Sequence, residues 1–120
     1  MRALAVAVTA AAMLAACGGG GTSGQPAGSI KVTLTEYSFS PSTISVASGK
    51  VVFYLVNAGT ASHDMIISDS SNKRVVGSDL ISAGDSIVFT VDSIAAGTYT
   101  VYCDQPGHEA SGMKGTLTVT

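Results

Sequence analysis

From Ile30 onward, apolar and polar residues alternate along the chain, and the alternation breaks repeatedly at glycine, proline and asparagine. Ile30-Lys31-Val32-Thr33-Leu34-Thr35 has the two-residue period of a strand with one buried face. Phe39 to Val46 predicts a second extended piece, with Pro41 suited to a bend or a sheet edge. Ser48-Gly49-Lys50 turns the chain into Val51 to Val56, which is apolar on both faces as a central strand is, and Asn57-Ala58-Gly59 turns it again. Further strands are expected over Asp64 to Ile67, Val75 to Ile81, Ser86 to Val91, Thr98 to Cys103 and Gly115 to Thr120, with Gly84-Asp85 and Ala96-Gly97 between them. No segment keeps a helical apolar period over three turns. Roughly seven to eight short strands predict an all-β fold: a two-sheet antiparallel β-sandwich of Greek-key topology. Strand count does not separate this from an immunoglobulin-like domain, so the candidate site has to.

Ahead of Ile30 the pattern is of another kind. Met1-Arg2 followed by the Ala, Val, Leu and Met run to Ala16 reads as a signal peptide over 1–16, too short for a comfortable membrane span. Leu14-Ala15-Ala16-Cys17-Gly18 resembles the lipobox of bacterial lipoproteins. That resemblance implies that Cys17 is acylated and becomes the new N-terminus, anchoring an exported chain at the extracytoplasmic or periplasmic face of a cell membrane. The plainer alternatives are an unmodified Cys17 or a Cys17–Cys103 disulfide. Residues 17–29, rich in Gly and Ser and lacking core formers, form the lipidated cysteine and a flexible linker with an r.m.s. span of about 20 Å. The folded domain is then 30–120.

Composition and charge narrow the partners. Without its alanine-rich start the chain is rich in Val, Thr, Ser, Gly and Tyr, as β proteins are. The net charge is −2 and the six basic residues are scattered, so no basic stripe for a nucleic-acid backbone exists.

Chemistry concentrates near the C-terminus. Cys103, His108 and Met113 stand at five-residue intervals in the Gly- and Pro-containing stretch Cys103-Asp104-Gln105-Pro106-Gly107-His108-Glu109-Ala110-Ser111-Gly112-Met113, between two expected strands. Such a loop can fold back so that all three side chains meet. A thiolate, an imidazole and a thioether suit a copper ion moving between Cu(I) and Cu(II); zinc seldom takes methionine. A second imidazole is needed for a trigonal His₂Cys site, and His63, past the turn that follows Val56, is the one other histidine. Taken singly, Cys103 reads as a small hydrophobe, Met113 as core filler and His63 as a hydrogen-bonded loop residue.

Together, from Ile30 to Thr120, the pattern Gly49 to Val56, His63-Asp64 and Gly97 to Val119 resembles the cupredoxin, or blue-copper, family, of the plastocyanin, auracyanin and halocyanin kind. Gaps of four residues between Cys103 and His108 and between His108 and Met113 resemble auracyanin and rusticyanin more than plastocyanin or azurin. The resemblance implies one type 1 copper with His63, Cys103 and His108 as strong ligands and Met113 as the weak axial one. It also implies single-electron transfer through the exposed edge of His108, during transient encounters of a monomer with cytochromes or other redox proteins. Asp64 stands where many cupredoxins have Asn; if ionised, it is expected to bond to the C-terminal loop and lower the potential. Tyr102, pointing outward beside Cys103, offers a second electron route. The enzymatic members of the fold need further histidines or a second loop cysteine, so no enzyme activity is expected. The competing function is a carrier or buffer that holds Cu(I) without electron transfer.

Overall fold

The computed structural model describes residues 24–120, so the expected signal peptide, Cys17 and most of the linker lie outside the described residues. Nine strands and no helix form among the described residues. One sheet has the order β2(Ser38–Ser40), β1(Ile30–Thr35), β4(Gly49–Asn57), β7(Ser86–Ile94). The other has the order β3(Thr43–Val46), β9(Lys114–Val119), β8(Gly97–Tyr102), β5(Ile66–Ser68), β6(Arg74–Gly77).

The all-β sandwich is as the alternation predicts, but its sheets are mixed rather than antiparallel throughout: β1 pairs parallel with β4, and β3 with β9. Parallel neighbours need a connection that returns the chain to the same end, and residues 36–48 supply it by crossing between the sheets. The extended piece expected over Phe39 to Val46 is accordingly two strands. It divides at Pro41, which follows a cis peptide bond, so that β2 joins one sheet and β3 the other. Three further boundaries move. The strand expected from Asp64 starts at Ile66, because His63 pairs instead with Ile81 as an isolated bridge. The one expected over Val75 to Ile81 shortens to β6. β7 runs on to Ile94 past a bulge against β4.

Strand alternation builds the core. Val32 and Leu34 of β1, Phe53 and Leu55 of β4, Val101 of β8 and Leu117 of β9 are fully buried between the sheets. Phe53 stacks on Phe89 with ring centroids 5.9 Å apart. On the opposite face of β4, Tyr54 is buried and Val52 and Val56 are half-buried, in line with its two-sided apolar sequence. This packed centre fixes where β4 and β8 end, and the candidate ligands follow those two ends.

Phe53→Ala removes a fully buried ring from the middle of this core and is expected to cost about 3–5 kcal/mol, out of a total of about 5–15 kcal/mol for a small domain. A urea titration should show a lower midpoint with an unchanged slope.

Candidate metal centre

The loop after β4 is organised by Asn57. Its buried side-chain amide donates to the carbonyls of Ala61 and Ile81, both at 2.9 Å, and its Oδ1 accepts the Gly59 N–H at 2.9 Å. His63 and Ile81 then exchange backbone hydrogen bonds of 3.1 and 2.8 Å. These bonds set a fully buried His63 at the end of the sandwich.

The second loop leaves β8 at Cys103. The Cys103 N–H donates to the Met113 carbonyl at 3.2 Å and the Met113 N–H donates to the His108 carbonyl at 3.1 Å, so the loop closes on itself. Gly107 and Gly112 have φ of 80° and 106°, in the left-handed region that favours glycine. Each immediately precedes a candidate donor, His108 and Met113, and aims the next residue back toward Cys103.

These two loops bring three donor atoms together. His63 Nδ1 lies 3.2 Å from His108 Nδ1, and Cys103 Sγ lies 3.8 Å from His63 Nδ1 and 3.5 Å from His108 Nδ1. Donors bonded at about 2.0 Å (nitrogen) and 2.3 Å (sulfur) to one ion in a trigonal plane stand about 3.5–3.7 Å apart. The observed separations bracket that spacing, so the residues fit a single trigonal metal ion. They form the one cluster of this kind among the described residues. Met113 is fully buried and tied by its backbone to both Cys103 and His108. Cys103 is a free thiol that burial pushes up from its ordinary value; a bound metal reverses this, because a coordinating thiol is deprotonated. His108 alone of the four keeps a partly exposed side chain.

Asp64 and Tyr102 flank the centre. Asp64 Oδ1 accepts the Asp104 N–H at 2.9 Å, linking the two ligand-bearing loops. Burial, together with the neighbouring Asp104 carboxylate, pushes Asp64 up to about 6. Asp104 is lowered, chiefly by its side-chain hydrogen bond with Asp64, and it also faces Arg74 at 3.7 Å. Tyr102 is half-buried at the end of β8 and lines an open cleft with Cys103, Asp104, Pro106 and Lys114.

Sequence reasoning missed Glu36, Tyr37 and Asn57. Glu36 Oε1 accepts three hydrogen bonds, from Thr60 N–H (2.9 Å), Ala61 N–H (2.6 Å) and His63 Nε2 (3.0 Å). The Ala61 N–H above all, with His63 and Thr60, holds Glu36 at about 2, below the usual carboxylate range. The Tyr37 ring meets His108 edge-on at a centroid distance of 5.2 Å. One turn between β1 and β2 thus touches both histidines. A signal existed: Glu36 is the only acidic residue ahead of Asp64.

Comparison with known proteins agrees with this geometry. Residues 26–120 match the family model described as copper binding proteins, plastocyanin/azurin family. A plastocyanin of Daucus carota is 38% identical over 89 residues, covering 68% of this chain and 87% of that protein. Auracyanin-B of Chloroflexus aurantiacus is 51% identical over a shorter stretch of 41 residues, 34% of this chain and 17% of that protein. Among solved structures, one of auracyanin B superposes with a TM-score of 0.70 at 24% identity, over 80% of this chain and 91% of that one. Auracyanin A of Chloroflexus aurantiacus superposes with a TM-score of 0.68 at 21% identity, over 77% and 98%; at these identities the likeness concerns the fold. The fold and the donor set define a mononuclear copper protein of the blue, electron-carrying class. The chain belongs to the plastocyanin/azurin family of copper-binding proteins.

The two shifted carboxylates give the metal-free protein opposite pH dependences. Glu36, depressed on folding, contributes stability above its ordinary value of 4.5 that is lost as pH falls toward about 2. Asp64, raised on folding, is favourable below its ordinary 3.8 and becomes a penalty as pH rises through about 6. In urea titrations across this range, Glu36→Gln should flatten part of the loss below pH 4.5, and Asp64→Asn should be relatively more stable at pH 7 than at pH 4.

Proposed function

We infer that the chain shuttles single electrons between redox proteins at the outer face of a cell membrane, with His63, Cys103, His108 and Met113 holding one copper ion. The observation that carries this reading is the convergence of two imidazole nitrogens and one thiol sulfur within 3.8 Å of one another. When bound there, copper supplies one-electron chemistry between Cu(I) and Cu(II). The chain's residues supply the rest. His63 and Cys103 are fully buried and exclude water from the centre, while His108 keeps an accessible edge for contact with a partner. The backbone bonds that close the 103–113 loop involve no metal, which supports a preformed centre that moves little on gaining or losing an electron. Small residues around His108, among them Gly107, Ala110 and Gly112, leave room for brief docking. Tyr102, beside Cys103, is a second electron route.

Placement of the tether supports the membrane reading. Residues 24–29 lead into the start of β1, while the turn after β1 reaches the candidate centre through Glu36. A six-residue strand spans about 20 Å, so the linker joins the end of the sandwich remote from His108. An anchor at Cys17, through this flexible linker, then leaves the copper end clear of the attachment point.

Adding Cu(II) to the metal-free protein should give intense visible absorption and a type 1 EPR signal with one copper per chain, both lost in Cys103→Ala. A protein that takes up Cu(I) yet stays colourless on oxidation is a carrier or buffer, and that result overturns electron transfer.

For the anchor, cells expressing the full chain should hold it in the membrane fraction with an acylated Cys17 by mass spectrometry. Cys17→Ser should release it to the soluble fraction; membrane retention of an unmodified Cys17 contradicts the lipid anchor.

A further inference from the structure

We propose that Glu36 is a positioning residue of the copper centre: its carboxylate holds the Nε2 proton of His63, so that the bare Nδ1 faces the metal, and its negative charge favours Cu(II) over Cu(I). The inference rests on the copper reading above and adds a residue outside the four-ligand set.

Three observations support it. His63 is fully buried, and a neutral imidazole carries one N–H donor and one bare acceptor, so the partner of either nitrogen decides the role of the other. Glu36 Oε1, 3.0 Å from Nε2, can only accept when ionised, which commits the proton to Nε2. Nδ1 then faces Cys103 Sγ and His108 Nδ1 as a lone pair. Glu36 is itself fixed: the Thr60 and Ala61 N–H groups bind the same oxygen, so the carboxylate does not swing away from the ring. A hydrogen-bonded carboxylate behind a ligating imidazole raises its basicity. The added negative charge, reaching the metal through a buried ring, stabilises the more positive oxidised ion.

A purely structural Glu36 would brace the 59–61 turn without this electrostatic effect, and charge is what separates the two. Glu36→Gln keeps an oxygen acceptor for the same three donors and removes the charge. It should retain blue absorption and one copper per chain, while the ratio of Cu(II) to Cu(I) affinity falls about tenfold, a rise of about 59 mV in a one-electron potential. Asp92→Asn, which removes an exposed charge from β7 at the end of the sandwich away from the centre, should leave the potential unchanged. Glu36→Ala, which also frees the ring, should lose about 10- to 100-fold in copper affinity.

A blue Glu36→Gln protein with a potential equal to or below that of the unaltered chain overturns the proposal and leaves the copper reading intact. A second measurement needs no metal. In ¹⁵N NMR of the copper-free chain, the His63 ring should carry its proton on Nε2, and a proton on Nδ1 overturns the proposal. If the unaltered chain gives no blue copper, the electron-carrier reading fails, and the copper-free tautomer then decides the Glu36–His63 assignment by itself.

Discussion

Burying an imidazole completely obliges both of its ring nitrogens to find partners, since an unpaired polar group inside a protein costs about 1–3 kcal/mol. His63 is that imidazole, and much of the architecture around it answers the requirement. Its Nε2 meets Glu36 at the end of β1, and its Nδ1 meets the Cys103 and His108 side chains from the loop after β8. The two sheets are therefore joined at this end by a polar centre as well as by packing. Its backbone is pinned independently by exchange with Ile81, whose carbonyl also accepts from the Asn57 amide. A residue held in this way has little freedom to follow a change in oxidation state.

Rigidity on one side is matched by access on the other. Cys103 and Met113 close the loop by a backbone bond and are buried, whereas His108 leans against Tyr37 with part of its ring exposed. With Cys103 fully buried, solvent does not reach a sulfur that would otherwise be open to oxidation. Asp64 ties the two loops at their rim, and its position between burial and the Asp104 carboxylate makes it the least settled charge near the centre.

Much of this was legible in the chain because strands and ligand loops leave local marks. Alternation located β1, β4, β8 and β9 nearly to the residue, and the Cys103, His108 and Met113 spacing marked one loop as chemistry rather than connection. Alternation says which side chains point inward but not which strand lies alongside, so the parallel pairs β1–β4 and β3–β9 were not readable, and Pro41 signalled a bend but not that its two sides join different sheets. The residues that went unseen act across distance. Glu36 reaches a ring 27 positions onward, and Asn57 reaches the Ile81 carbonyl 24 positions onward. Nothing within either residue's own neighbourhood signals that reach, beyond the solitary charge of Glu36 in an otherwise unacidic half.

The same long reach governs how the centre comes into being. His63 lies 40 positions from Cys103 and 45 from His108, and β9 follows directly behind Met113. A fragment that ends before Met113 lacks part of the donor set. The centre is therefore assembled only when segments far apart in sequence have been brought together, and a copy cut short of Met113 lacks a donor that no neighbouring residue replaces.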